Sequence, residues 1–553
     1  MKAIILIKKS ILSIMLINLL TCLNLLAQNL PPVEFVFSDS AASKGYYFMI
    51  PYTLAPPFTY DHPHMIFDRL GKTVYYRTFL GGSAPTTTAD FKLQPNGQMS
   101  FFSPVLGRFY LMDSTFTVVD SIEAVGYDTD THELQLLDNG HWLILGRETR
   151  TMNLTQFHWF GSNHTLPGSP NAEVTGAVVQ ELDENKNLLW QWKAHDHFEF
   201  DDVDSVWLNN PTSVDWTHSN AIELDNDGNI LLSSRHLNEI TKINYATGAI
   251  MWRMGGKNNQ FVFTNDAIGW TGQHDIRRLS NGHVTLWDNG QYTNPPLGRA
   301  LELSLNETAK IATVEWEYIQ DSAMFSLAMG NHQQLDDNNR LLNYGFVGPA
   351  FPMCAVVKPS KEKVVEIYGP DNYANYRAFN YATLPWELKR PTVDCQLIGN
   401  VYYLVAEPGH ESYLWSTGAT TQSIALTQAG EYNVFVPYGG GNISSEYIKV
   451  TDITNPCNYV GITTQMNQSL DFTCNPNPAK EFVAISFNST TASSLAIAVY
   501  DLMGRKIVDG FEGNTQVGEN TYQIPVRNLL PGVYVLVKTQ NGQTITKKLI
   551  VNQ

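Results

Sequence analysis

The segment HSNAIELDNDG at residues 218–228 and the segment GAIMWRM at residues 248–254 carry the two patterns from which the fold is read. The first is an apolar strand running into a tight Asn/Asp/Gly turn, with another apolar strand behind it. Asn-Gly and Asp-Gly supply the positive φ that a two-residue hairpin turn demands. The same pattern stands at DFKLQPNG (90–97), HELQLLDNG (132–140), HDIRRLSNG (274–282) and NHQQLDDNN (331–339). The second pattern is a turn followed by a strand that closes on large aromatic or apolar side chains. It returns at GKTVYY (71–76), TFTVVD (115–120), NLLWQW (187–192), ATVEWEY (312–318) and KVVEIY (363–368). The two patterns alternate from about residue 31 to about residue 391. One hairpin of each kind makes a four-stranded sheet, the unit of a propeller blade. Six outer hairpins predict an all-β, six-bladed β-propeller. Only five inner hairpins are evident, so the sixth is expected from residues 33–52, with N-terminal strands closing the ring. Tandem β-sandwiches would also give short strands, but not this strict alternation.

The bulk numbers agree with a turn-rich β protein. Among 553 residues, 43% are hydrophobic and 12% aromatic, with 39 Gly and 27 Pro, so a sizeable core is available. The formal charge is −17 and no Lys/Arg run follows the N-terminus. Binding to nucleic acid or an anionic membrane is excluded on this ground, because phosphates need clustered cations. Lys2, Lys8 and Lys9 precede an apolar run from Ile11 to Ala27, which predicts a signal peptide over residues 1–28. Cys22 fits a lipidation site poorly, since Thr21 precedes it and the apolar run continues beyond it. No later segment is apolar for long enough to be a transmembrane span. Export permits disulfides: Cys395 and Cys457 bracket one small region and can pair, or can stay as buried thiols. None of the cysteines has metal-ligand spacing.

Inner strands of a propeller converge on its axis, so equivalent positions in different blades face one shared funnel. His132, His218 and His274 each open an inner hairpin, and His332 stands one residue into its own. Arg235 closes the hairpin after His218, and Arg299 begins the strand after the Asp-Asn-Gly at 288–290. A repeated histidine can equally bond a neighbouring blade and hold the ring together, a reading that weighs most on His132. His195, His197 and His283 fall on outer strands or turns, where packing or surface roles are expected. The Asp-Asn-Asp-Gly run at 225–228 has the wrong spacing for a calcium loop and reads as a hairpin turn.

DWTHSN (215–220), SSRH (233–236), QHD (273–275), LWDNG (286–290) and NYRA (375–378) complete the picture. In this order and spacing, over about residues 66–379, the chain resembles the arylsulfotransferase family. The resemblance implies a six-bladed propeller that moves a sulfuryl group from one phenol to another. It implies no nucleotide sulfate donor, no cofactor and no metal, and a transient sulfohistidine. Its partners would be phenolic and aryl sulfate small molecules. Carried onto this chain, it makes His218 and His274 funnel histidines that polarise sulfate oxygens and move the phenolic proton. His332, Arg299 and Arg235 are the further catalytic candidates; His132, Asn220, Asp275, Asn289 and Arg377 are the substrate-binding ones. A neutral imidazole suits proton transfer near neutral pH, and an Arg fork suits a tetrahedral oxyanion. Two departures stand out. The family arginine follows the Asp-Asn-Gly element directly, where this chain has Gln291 and Tyr292, so Arg235 or Arg299 would have to replace it. The family's nucleophilic histidine falls near residues 345–350, where this chain has none; His332 lies earlier in that blade. A second reading is therefore a non-catalytic, surface-displayed propeller that binds sulfated or anionic ligands. A third gives the histidines a metal for lyase or hydrolase chemistry.

The remaining chain divides in two. Residues 392–455, with YLWSTGATTQS (413–423) and GEYNVF (430–435), resemble an immunoglobulin-like module, with Trp415 and Tyr432 as core residues and a spacer role. After a linker at 456–473, residues 474–553 carry NPNPA (475–479), VYDLMG (499–504), LPGVY (530–534) and TKKLI (546–550). These four elements, in order, resemble the type A sorting domain of type IX secretion, a small β-sandwich. The resemblance implies a protein secreted or displayed at the cell surface, with the type IX secretion machinery as partner.

Overall fold

The computed structural model describes residues 30–552 except 41, 54–61, 79–87, 162, 322–323, 349–350, 371–372, 455, 458–471, 490–491, 502–504 and 541–542. The expected signal peptide, with Cys22 inside it, and most of the expected linker lie outside the described residues. The chain forms two compact units, residues 1–457 and 458–553.

Four-stranded antiparallel meanders build the first unit. Blade 1 is Ala89–Leu93, Met99–Ser103, Arg108–Met112 and Val118–Ile122; blade 2 is Asp128–Leu136, Trp142–Met152, Ala172–Leu182 and Leu188–Lys193. Blade 3 is Ser219–Leu224, Ile230–Ser234, Glu239–Ile243 and Ile250–Gly255. Blade 4 is His274–Arg278, Val284–Asp288, Arg299–Asn306 and Ile311–Tyr318. Blade 5 is Asn331–Gln334, Arg340–Asn343, Cys354–Val357 and Lys363–Tyr368. Every inner-type segment of the sequence is an innermost strand, and every outer-type segment is a fourth strand. Successive innermost strands are neighbours around the axis. The architecture is a β-propeller.

Blade 6 joins both ends of this region. Its innermost strand is Phe379–Tyr381, followed outward by Tyr46–Met49, His64–Phe67 and Thr73–Arg77. The expectation that residues 33–52 supply a missing inner hairpin is thereby corrected: Tyr46–Met49 lies second from the axis. Glu34–Phe37 instead extends blade 5 at its outer edge, beside Lys363–Tyr368. Blades 5 and 6 are stitched by side-chain amides that imitate peptide groups. Asn331 receives Ala378 N–H at 3.0 Å and donates to Ala378 O at 2.9 Å; Gln333 treats Asn380 the same way, at 2.8 and 2.9 Å.

An apolar cluster fills the seam between each blade and the next. Successive side chains of a strand face opposite sides, so Leu231 enters the core shared with blade 4 while Ile230 and Leu232 enter the core shared with blade 2. This two-sided burial explains why inner strands read as apolar runs instead of alternating with polar residues. Fully burying each such side chain contributes about 1.5–3 kcal/mol. Charge fills the axis. Asp90, Glu133 and Asp275 hold the same register position in blades 1, 2 and 4. Arg377 lies 2.9 Å from Asp90 and 3.0 Å from Glu133, Arg277 2.7 Å from Asp275, and Lys92 2.8 Å from Asp90. This compensated plug occupies the centre, so a ligand enters at a mouth of the ring rather than passing through.

Residues 392–457 continue the propeller's own hydrogen bonding. Gly441–Ser444 pairs antiparallel with Thr73–Arg77, Asn442 opposite Tyr76 and Ile443 opposite Tyr75, so blade 6 gains strands on its outer edge. Trp415 and Tyr432 are buried, and Cys395 and Cys457 form a disulfide. Cys354 is a buried thiol in blade 5, and Cys474 is also free. The second unit stacks the sheet Thr473–Asn475, Phe482–Ser489, Gly518–Pro525 on the sheet Lys506–Asn514, Ser494–Tyr500, Gly532–Gln540, Gln543–Val551. Val483, Ile485, Ile497, Val499, Ile524, Leu536 and Leu549 form its core. Among the described residues, no helix is long and apolar enough to cross a membrane.

Candidate active site

Three inner-hairpin turns fix the register of the candidate histidines. The N–H groups of Leu137, Asp225 and Leu279 bond the carbonyls of His141, Asn229 and His283, so these turns are equivalent. Counted back from them, His132, Asn220 and His274 share one position, and His218 lies two residues earlier. The expectation of one shared position for His132, His218 and His274 is corrected accordingly. A bulge between Ser219 and Ala221, with φ of +42° at His218, takes up the difference. The two histidines of blades 2 and 3 meet nonetheless. The rings of His132 and His218 lie 5.0 Å apart, edge to face at 68°.

Each ring is backed by a carboxylate. His132 Nδ1 bonds Asp130, and His218 Nδ1 bonds Asp215. Both carboxylates line one small crevice between blades 2 and 3, with Arg147, Thr175 and Thr217. A ring whose Nδ1–H is given to a carboxylate turns its Nε2 outward. Among the described residues none bonds the Nε2 of either ring, and the two side chains keep 13% and 25% of their surface open. Burial, helped by His132 and Arg235, leaves His218 below its usual pKa of 6.5, although the Asp215 carboxylate pulls it upward. Burial alone would push Asp215 upward, but His218, His236 and His132 outweigh it and hold the carboxyl well below its usual range. At neutral pH an ionised Asp215 therefore stands beside a neutral His218.

Beyond His218 the row continues. His236 stacks on it at 4.5 Å, and Trp207 stacks on His236 at 4.6 Å. His236 gives its Nδ1–H to Asp215 O at 2.6 Å and takes an Arg235 N–H on Nε2 at 3.1 Å, which fixes it as a neutral ring. Burial also drives its pKa well below 6.5. Arg235 lies over Trp207 at 4.1 Å and donates to Leu327 O at 2.7 Å. The Gln291 carboxamide, turned to present its nitrogen, reaches that same oxygen at 2.6 Å. Of the four buried arginines among the described residues, Arg235 alone has no carboxylate within ion-pair reach. Its guanidinium keeps N–H groups to spare.

The other candidates divide. His274 belongs to the neighbourhood, its charge felt by Arg235, His218 and His132, but both its nitrogens are engaged. Nδ1 bonds Asn289 Oδ1 at 2.7 Å and Gly272 O at 3.0 Å, and Nε2 accepts Met329 N–H at 3.2 Å. Asn289, fixed in turn by Ser326 and Met329, is thus an orienting group for His274. Asn220 donates to Gln273 O at 2.7 Å, while Asp275 and Arg377 belong to the axial plug. Two candidates are corrected. His332 is fully buried, with Nδ1 on Leu301 O and Trp316 beside it. Counted back from its own turn, where Leu335 N–H bonds Asn339 O, it sits two positions past His132 and His274, and blade 5 lacks the bulge that follows His274, so its side chain faces the other way. Arg299 is consumed by Asp266, Asp288 and Glu317 at 2.8–3.0 Å, away from the imidazoles. Asp215, His218 and His236 lie close enough to share a metal ion. The donors fit one badly, because both His236 nitrogens are taken and Arg235 already brings a positive charge.

A pair of carboxylate-backed imidazoles with open Nε2 atoms beside an uncompensated guanidinium can bind an anion and move protons or an electrophilic group. Residues 38–378, more than half of the chain, match the family model for arylsulfotransferase (ASST). The chain belongs to the arylsulfotransferase family. This arylsulfotransferase-family protein also matches, over residues 474–552, the secretion system C-terminal sorting domain. The tail is that of type IX secretion and directs the protein to the cell surface or outside the cell. No curated protein matches the chain. Solved structures similar to it include a protein of unknown function from Bacteroides caccae, at 10% identity and TM-score 0.36, covering 61% of this chain and 98% of that one. Virginiamycin B lyase from Staphylococcus aureus gives 8% identity and TM-score 0.31, covering 68% and 96%. An exo-β-1,3-galactanase from Phanerochaete chrysosporium gives 11% and 0.27, covering 83% and 93%.

Sequence reasoning passed over Asp130, Asp215, His236, Trp207 and Tyr376 around this candidate site of the arylsulfotransferase-family protein. Asp215 and His236 stand inside DWTHSN and SSRH, and Asp130 two residues before His132, so a search for Asp near His would have found them. Trp207, in a short turn between blades 2 and 3, left no such signal.

Proposed function

We propose that the protein is an exported aryl-sulfate sulfotransferase, moving a sulfuryl group from an aryl sulfate to a phenol through a funnel imidazole without a nucleotide donor. The observation that carries this reading is Arg235, a buried cation without a carboxylate, beside imidazoles whose Nε2 atoms are open. A sulfate ester supplies the missing negative charge, and charge-assisted contacts of this kind are about twice as strong as neutral ones. Arg235 takes the part of the family arginine replaced here by Gln291 and Tyr292. His218, neutral and backed by Asp215, is the nucleophile in place of the absent histidine near residues 345–350. His274, locked by Asn289 and Met329, acts as a support for the mouth. Residues 1–28 are read as the removed signal peptide and residues 392–455 as an immunoglobulin-like module. The test is a chromogenic aryl sulfate with a phenol acceptor. Donor cleavage that depends on the acceptor and falls by about a hundredfold or more in His218→Ala is expected, the scale of a lost catalytic group.

The fully bonded His274 and the buried His332 favour a second reading, a non-catalytic propeller that binds sulfated or anionic ligands. Tight binding of an aryl sulfate that is never cleaved, with no sulfuryl-labelled histidine in mass spectra, would decide for it.

A further inference from the structure

We propose that His132 is the general acid and base of the transfer, protonating the departing phenolate and deprotonating the incoming phenol, while His218 carries the sulfuryl group. This rests on the sulfotransfer reading above and assigns the second imidazole of the mouth. The two rings form one unit, edge to face at 5.0 Å, each with Nδ1 on its own carboxylate. Their surroundings are unequal. Arg235 and His236 flank His218, so the sulfate of a donor is drawn to that side and its sulfur to the His218 Nε2. His132 stands at the other end of the row, against Tyr376 at 5.8 Å, and its Asp130 is buried. The Asp130 carboxylate, steadied by Arg147 at 3.7 Å, compensates the charge that the His132 ring gains when its Nε2 holds a proton.

The steps balance. The His218 Nε2 lone pair attacks sulfur, an N–S bond forms and the S–O(aryl) bond breaks, with its electron pair on the phenolic oxygen. That oxygen takes the proton from His132 Nε2, leaving the ring neutral. The acceptor phenol then attacks sulfur, the N–S bond breaks and its pair returns to His218 Nε2. The phenolic proton passes to His132 Nε2. No oxidant, water or net proton is consumed.

The test is a leaving-group series on the full chain. Aryl sulfates of phenols from strongly to weakly acidic are mixed without acceptor with the wild type, His132→Ala and His132→Gln, and release of the first phenol in a single turnover is followed, because the acceptor step needs the same base whatever the donor. The glutamine variant retains a donor for Asp130 and guards against loss of folding. General acid catalysis is worth about 10²–10⁴-fold and matters least for a leaving group that needs no proton. For 4-nitrophenyl sulfate the variants are expected to stay within about tenfold of wild type; for phenyl sulfate they are expected to lose about a hundredfold or more. A wild-type rate that hardly varies would become steeply dependent on phenol acidity. Equal losses across the series, or no loss, overturn the assignment, because a merely structural His132 would affect every donor alike. A sulfuryl label on His132 rather than His218 overturns it as well. If the wild type transfers nothing from any donor, the sulfotransfer reading falls and this one with it.

Discussion

At the scale of single residues, two arginines show how similar burial can serve opposite ends. Arg299 closes a network with Asp266, Asp288 and Glu317, and burial pushes the Asp288 carboxyl up to about 7 despite that arginine. Replacing Arg299 by Met strands buried carboxylates, and we expect a loss of about 3–5 kcal/mol in urea unfolding. Arg235 has no carboxylate to strand. Arg235→Met is expected to leave stability unchanged or raise it by about 1–2 kcal/mol, since a desolvated cation without a partner is itself unfavourable. Its cost is expected in function, as a KM for the aryl sulfate raised about tenfold or more. A destabilised Arg235→Met with unchanged KM would remove the anion-binding role. The motif SSRH pointed to Arg235, but only the carboxylate neighbours, distant in sequence, separate it from Arg299.

Among the elements, blade 6 is held by the C-terminal side of the chain on both its edges. Phe379–Tyr381 pairs on the inside and Gly441–Ser444 on the outside, with the N-terminal strands between them. Three-residue strands contribute few main-chain bonds, so the outer pairing reinforces a short closure. Contacts around it are close: Lys72 meets Glu431 at 2.6 Å, and Arg390 meets Glu446 at 2.8 Å. A Cβ on Gly441 would come within 2.4 Å of the Tyr75 hydroxyl, so only glycine lets the strands approach. A chain ending at residue 391 is expected to melt several degrees below one ending at residue 457, and Gly441→Val to reproduce part of that drop. Equal melting temperatures by circular dichroism would make the module a passive spacer, as its sequence suggested. The strands themselves were legible because turn residues and aromatic endings repeat. The innermost strand of blade 6 was not, since Phe379–Tyr381 has no turn beside it and finds its partner about 330 residues away.

For the molecule as a whole, ring closure buries imidazoles that the unfolded chain exposes. Burial is the chief cause that lowers His64, His236 and His274 well below 6.5 and His332 to about 4. Unfolded, these histidines titrate near 6.5. Below that pH the unfolded state therefore binds protons that the folded state refuses, and stability falls as pH falls. Each such histidine costs about 1.4 kcal/mol per pH unit over this range, and above about pH 7 the contribution is fully present and level. Thermal melts from pH 8 to pH 5 should show a plateau and then a decline beginning near 6.5. A melting temperature constant down to pH 5 would mean that these rings are not shielded. The sequence by itself determined the propeller, the family and the sorting tail, because turn chemistry, two-sided apolar strands and short ordered motifs are local and survive reading in one dimension. It also named His132, His218 and Arg235 among its candidates. Only the tertiary structure decided which candidates share a mouth. A bulge at His218 and the lack of one at His332 change the face a side chain presents, and the carboxylates that consume Arg299 but spare Arg235 come together only when the ring closes.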